Sequence, residues 1–456
     1  MKVNATMPVS LALAVALTAL AAAGCSEGTP PIGSPKTAWE RTYGGSGDEE
    51  IYAVAPAGDG GFVLAGYSSS SDGDLPGTRT GEDAWLMKVG PTGDPQWHTV
   101  LGGDLDDVAM TVAAVPGGGF LAGGFTWSEG GNFPVPDGAL PRGEVPGAAP
   151  GARPGLGRQG PRRGWAGMVD DSGRVVWTRV FGKNGIYGIN TIAPSSDGGA
   201  LAVGDIMDQD CRRGPGEPFS YDVWVLKLDA EGNVIWERCV GGRLNDLPVG
   251  AVETDDGGLA VAATARSRDR QPGASPQPGE GAWSAGIGPS GETLWERHYS
   301  GEGAEWAFSF RKAPRGGFIM GGMKGAPGPD PSARSNAALK LGPDGTVDWS
   351  AEPGGQGRLT DVIPVPGGYL AVLVPTAGAE GPGRGRNHPH DVVLVRLSAG
   401  GAEEWRWGYG EAEGRPATAF ALTSDGGLVA AGTVKNPVGP GQNGDKDAWA
   451  MKLAPR

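Results

Sequence analysis

The sequence of 456 residues carries a net charge of −14, which argues against nucleic acid as a partner, because binding a polyphosphate draws on a basic face that releases counterions. With 39% hydrophobic residues and 15 Trp there is ample material for a core, so wholesale disorder is excluded. Many of the 84 Gly and 39 Pro fall in GG and DGG turns between short apolar runs, the composition of an all-β chain with many tight reversals.

In chain order, the first element is Lys2 followed by MPVSLALAVALTALAAAGC, with the charged start, apolar middle and small-residue end of a secretory signal over residues 1–24. It falls short of the ~20 uninterrupted apolar residues of a membrane span. Its end, Ala22-Ala23-Gly24-Cys25, resembles a bacterial lipoprotein lipobox, which implies a fatty acyl anchor such as palmitate on Cys25. An ordinary signal cut after A-x-A is the alternative. Ser26 after the cysteine resembles the outer-membrane sorting choice, and residues 25–36 read as a flexible tether. Cys211 and Cys239 then remain as an even pair in an oxidising compartment, where a disulfide is expected.

From residue 37 the chain repeats. Trp39, Trp97, Trp177, Trp236, Trp295, Trp349 and Trp405 follow one another at spacings of 58, 80, 59, 59, 54 and 56. Between successive tryptophans come a glycine loop, an apolar run, a DGG-like turn, a second run, a variable loop and a third run that often opens on Asp. INTIAPSSDGGALAVGD, then YDVWVLKLDAEGNVIW, is one such unit. Each unit predicts four short antiparallel strands (a, b, c and d, with d bearing the Trp), and such a sheet must bury both faces on neighbours. Radial repetition achieves that, so the expected fold is an all-β, seven-bladed β-propeller over residues 37–456, with an open solenoid as the alternative. The seventh unit ends at DAWAMKLAPR without a Trp strand, while TAWERTYGG stands spare before the first. The spare strand is expected to complete the last blade and close the ring. The seven tryptophans are expected to pack between blades.

These phrases resemble bacterial secreted repeat proteins of the delta-60 or SBBP-like β-propeller kind, with units of the form W…GG…DGG…D-x-W. They resemble more distantly the quinoprotein-like propellers, whose repeat also ends in a turn glycine and a Trp. The resemblance implies a fold rather than an activity.

Alternating strand direction sends the b–c and d-to-a loops to one face and the tight a–b and c–d turns to the other. The loop face should receive the insert of residues 129–163, whose Arg158, Arg162 and Arg163 make it locally basic and able to touch an acidic partner or anionic headgroups, or to stay solvated. Acidic residues gather where strand a begins: Asp48, Glu49, Glu50, Asp106, Asp107, Asp246 and Glu305. Calcium accepts such oxygens, but the third, sixth and seventh units break the pattern, so turn and solvation roles are expected ahead of calcium, and no cofactor is assigned. Asp48, Asp106, Asp107 and Asp246 with the three arginines make the candidate binding face.

No active site is visible. His388, His390 and Asp391 form the single local His/Asp cluster, without further ligands at metal spacing. No G-x-S-x-G, H-E-x-x-H, Walker or dinucleotide motif occurs. The expectation is a monomeric, non-catalytic module at the bacterial outer membrane, held there by its lipid and binding a protein or glycan. The alternatives are an envelope-assembly scaffold resembling the quinoprotein-like propeller lipoprotein of barrel assembly, and a lectin- or endoglucanase-like protein acting on polysaccharide.

Overall fold

The computed structural model describes residues 36–75, 81–133, 162–182, 185–208, 211, 220–242, 244–267, 278–299, 305–325, 334–354, 357–374, 392–409, 417–435 and 446–454. Among them are twenty-eight strands, numbered β1 to β28 in chain order and grouped into seven four-stranded antiparallel sheets. Six blades are continuous in sequence: 49–101, 107–181, 186–240, 246–298, 306–351 and 358–409. The seventh combines β26 (Ala417–Leu422), β27 (Leu428–Lys435) and β28 (Lys446–Leu453) with β1 (Thr37–Tyr43). β1 lies antiparallel to β28, with Thr42 opposite Trp449 and Tyr43 opposite Ala448. The first strand of every blade packs against the first strands of both neighbours, all the way round, so the sheets form a closed ring about an axis. The architecture is a seven-bladed β-propeller, closed by the amino-terminal strand. None of the described residues forms a helix long and apolar enough to cross a membrane.

The core is divided as the repeat requires. Seven apolar clusters each combine residues of two adjacent blades, one per junction. A twisted four-stranded sheet buries neither face alone, so each junction is a small core shared by two blades.

Two tryptophans divide the labour at these junctions. Those of strand d are only half-buried, and all but Trp405 lie over the c–d turn of the following blade. Trp39, Trp97, Trp177, Trp236 and Trp349 donate Nε1–H to the carbonyls of Pro91, Asp171, Ala230, Pro289 and Ala399, over 2.7–3.1 Å. Trp295 lies over Gly345 in the same way, and Trp405 packs against the sixth junction core. The fully buried wedges are the strand-c residues Trp85, Trp165, Trp224, Trp283 and Trp449, each 0–2% exposed. The strand-d tryptophans expected between the blades pack against the junction clusters from the half-exposed side. Strand d is the outer edge of its sheet, so a side chain there finds a neighbour's turn on one side and solvent on the other.

The DGG turns are pinned as well. Lys88, Lys227 and Lys452 of strand c pair with Asp59, Asp197 and Asp425 of the turns in blades 1, 3 and 7. The lysine at the end of D-x-W-x-x-K thus reaches across strand b to the Asp of the preceding reversal. The Cys211–Cys239 disulfide, with Cα atoms 5.7 Å apart, ties the loop after strand b of blade 3 to its strand d.

Candidate binding face at the axial mouth

The tryptophan clasps all act on c–d turns and therefore lock the turn face. The loop face is organised differently. In each first strand one residue has no partner on strand b, a β-bulge repeated seven times: Tyr52, Met110, Asn190, Val249, Phe308, Thr360 and Thr418. A bulge re-aims its side chain and increases local twist. All seven are at least partly exposed, although the strands that carry them are the innermost of the molecule. Solvent reaches them along the axis. Two residues earlier, nearer the loop face, stand Glu50, Val108, Gly188, Leu247, Trp306 and Arg358. These two tiers define the axial mouth, and its chemistry is uneven around the ring.

On blade 1 it is acidic. Glu50 accepts hydrogen bonds from Tyr52 Oη at 2.7 Å and from Lys446 Nζ of blade 7. Burial works against the Glu50 charge, but Lys446 and the tyrosine hydroxyls outweigh it and hold the pKa below the ordinary value. Glu82 is pushed up by burial and then by the charges of Asp106, Glu50 and Asp48. Lys446 is therefore shared among three carboxylates, Glu50, Asp48 and Glu82.

Further round the mouth, blades 5 and 6 present aromatic and guanidinium groups. The Arg334 guanidinium lies 5.1 Å from the Trp306 ring centroid, and that of Arg358 lies 3.6 Å from Phe308. Asn336 fixes the junction beneath them: it accepts from the Leu359 amide at 2.8 Å and donates to the Gly357 carbonyl at 3.2 Å. Burial lowers the Arg358 pKa, and among the described residues no carboxylate pairs with it. Deeper in the mouth, Arg311 of the first strand of blade 5 is held by both oxygens of Asp361, on the first strand of blade 6, at 2.9 and 2.5 Å. A third stack lies on blade 2, where Arg162, itself bound to Asp205 of blade 3, lies 4.9 Å from the Phe125 ring and Phe125 meets Trp127 edge-on at 5.0 Å.

The residues expected on the binding face separate sharply. Asp48 and Asp106 are half-exposed at the acidic part of the mouth. Asp107 and Asp246 are 0% exposed and Arg163 is 1% exposed, which removes all three from any docking surface. Asp107 accepts from Thr126 Oγ1, from Ser128 Oγ at 2.8 Å and from the Gly103 amide at 2.9 Å. Glu49 is its counterpart in blade 1, bonded to Ser68 Oγ at 2.7 Å and the Gly45 amide at 3.1 Å, and Asp246 takes the Gly242 amide. In the pattern GG-x-x-x-(D/E) the carboxylate folds back onto the second glycine's amide, so the sequence signal belongs to loop structure. Burial pushes Asp107 up to about 7 against these hydrogen bonds, with the charge of Asp83 adding to it. Arg163 faces Glu129 at 3.4 Å, and Arg162 is bound to Asp205. Neither belongs to a free basic patch. Arg158, the greater part of the 129–163 insert, Cys25, and the cluster His388, His390 and Asp391 lie outside the described residues. Among the described residues, no group of three or more His, Cys, Asp or Glu is placed to hold a metal ion.

The arrangement at blades 5 and 6 was not foreseen. Its signal is present in EWAFSF, where bulky aromatics replace the small and aliphatic residues of other first strands, such as DVAMTVAA.

Fold and mouth define the class of molecule, a propeller with one locked face and one chemically varied face. No family model and no curated protein sequence matches the chain. It is similar in structure to a Bacteroides caccae protein of unknown function (14% identity, TM-score 0.35, 58% of this chain and 78% of that one). Similarity extends to polysaccharide lyase Uly1 (10%, TM-score 0.46, 90% of each chain) and to the Neurospora crassa Pan2 WD40 domain (9%, TM-score 0.46, 88% and 89%). At these TM-scores the likenesses carry no argument about function.

Proposed function

We propose that the chain is a non-catalytic binding module of the bacterial cell envelope, anchored in the outer membrane by acylation of Cys25, that engages a protein or glycan at the axial mouth. One observation carries this reading: a ring clasped on its turn face gathers stacked guanidinium, aromatic and carboxylate side chains at the opposite mouth. Rigid scaffolds that present varied loops and side chains at one end are built for recognition. The lipobox-like stretch before the tether supports the anchor.

Two experiments test it. The full chain, purified in mild detergent, is screened against a glycan array and against solubilised envelope proteins; saturable binding to a defined species is expected, and none in either screen rejects the reading. Labelled palmitate should be incorporated by the intact chain and not by Cys25→Ser; equal labelling of the two rejects the anchor.

A further inference from the structure

Resting on that reading, we propose that the mouth takes an extended peptide segment of a partner protein, with an acidic side chain of the peptide on Arg358 beside Phe308 and a basic one against Glu82 and Asp106. The argument begins with charge. Arg358 opens blade 6, two blades from blade 1, which carries Glu82, and three from blade 2, into which Asp106 leads, so the guanidinium and carboxylate poles are held apart around the mouth. A ligand bearing both signs matches both poles. A long polyanion such as an acidic polysaccharide meets Arg358 favourably but is opposed by Asp48, Glu50, Glu82 and Asp106, and at longer range by the net charge of −14.

Composition points the same way. Arginine, tryptophan and tyrosine are the residues that carry most binding energy at protein interfaces, and at the mouth they are already stacked in place. The Arg358 guanidinium carbon lies over the Phe308 ring, 3.6 Å from its centroid, and a guanidinium packed on an aromatic ring can still offer its N–H groups to a carboxylate in a two-pronged hydrogen bond. Little backbone freedom is left to lose on binding, because the Asn336 bonds fix the main chain on either side of Arg358.

The test selects a displayed library of random twelve-residue peptides on the immobilised full chain, then measures the enriched peptides by fluorescence anisotropy. Enriched peptides should contain both an acidic and a basic residue. Arg358→Glu should weaken them at least roughly tenfold, the scale set by loss of one charge-assisted pair, and changing the peptide's acidic residue to Lys should restore binding to that variant. Glu82→Lys should act reciprocally on the basic residue. Arg358 is exposed, so the folded state of the variant is checked by an unchanged unfolding midpoint. Peptides that bind wild type and Arg358→Glu equally would overturn this assignment while leaving the mouth as a binding face. Oligogalacturonate bound in place of peptides would overturn it in favour of a glycan. Failure of peptides, glycans and envelope proteins alike would overturn both readings.

Discussion

Gly232 in blade 3 has φ of 81°, and a Cβ built on it would come within 2.6 Å of the Trp177 ring of blade 2. Gly198, in the other tight turn of blade 3, has φ of 88° with nothing within 4 Å of the corresponding position. Alanine at either site meets the left-handed backbone cost, on the order of 1 kcal/mol. At 232 alone the added methyl also drives the indole off the turn and strains its 3.0 Å hydrogen bond to Ala230. Gly232→Ala should therefore cost roughly 1–3 kcal/mol more than Gly198→Ala, the range for overpacking a fitted contact. Urea unfolding of the two variants measures the difference; coincident midpoints would mean that the indole does not lock the blades. The same pairing of a turn glycine with an upstream ring occurs at Gly93 with Trp39, Gly173 with Trp97, Gly291 with Trp236, Gly345 with Trp295 and Gly401 with Trp349. The phrase D-x-x-G followed by Trp recurs for this reason: its glycine receives the previous blade's indole, and its own Trp covers the next glycine.

At the scale of elements, β1 does what every strand d does, but from the opposite end of the chain. It supplies the outer strand of blade 7, and through Trp39 and Tyr43 it bonds the carbonyls of Pro91 and Gly93 in blade 1, at 2.7 and 2.8 Å. Removing residues 1–43 leaves the edge of β28 bare and takes Tyr43 from the core between blades 7 and 1. An exposed strand edge recruits another chain, so the truncated protein should self-associate beyond the state of the intact chain, as read by light scattering, and a synthetic peptide of residues 36–44 should reverse this. Unchanged scattering would show that the ring holds without its closing strand. That closure was legible because TAWERTYGG and DAWAMKLAPR are incomplete versions of one phrase, and completeness can be judged locally. The bulges were not, since Tyr52 is an extra residue only relative to the register of Ile51 and Ala53 with strand b. Nor was the division of the acidic pairs. Asp106 and Asp107 are adjacent in sequence, and only pairing with Thr126 turns the second inward while the first stays at the mouth. The buried strand-c tryptophans were visible in D-x-W, but their burial depends on the face of a neighbouring blade.

Across the whole molecule, two sets of carboxylates with opposite shifts set the response to pH. Asp107 is pushed up to about 7 by burial with Asp83 nearby, and Glu49 is raised by burial with Asp447 nearby, at the two junctions that flank blade 1. For a group whose folded pKa lies above its unfolded value, the favourable contribution is complete below the unfolded value, near 4 for a carboxyl, and is lost as pH rises through the folded value. Asp197 and Asp425 behave oppositely: hydrogen bonds from Lys227 and Lys452, in that order of partners, hold each at about 2. Their contribution is present above the ordinary value near 4 and disappears as pH falls through about 2. Both turn aspartates are largely exposed, so solvent screening leaves each pair at roughly 0.5 kcal/mol, whereas Asp107 is enclosed. Stability should accordingly peak on the acid side of neutrality, declining gently below pH about 4 and more steeply between about 4 and 7, where the unfolded chain has already released the proton that folded Asp107 retains. Asp107→Asn removes the ionisation and should flatten that upper limb, raising stability near pH 8 by on the order of 1–2 kcal/mol, an allowance that charges part of the gain to an imperfectly bonded amide. Asp197→Asn should leave the upper limb untouched and slightly reduce stability around neutral pH. Thermal unfolding midpoints from pH 2 to 9 for the three proteins measure both limbs, and an upper limb that persists unchanged in Asp107→Asn would place its origin outside the junction of blades 1 and 2.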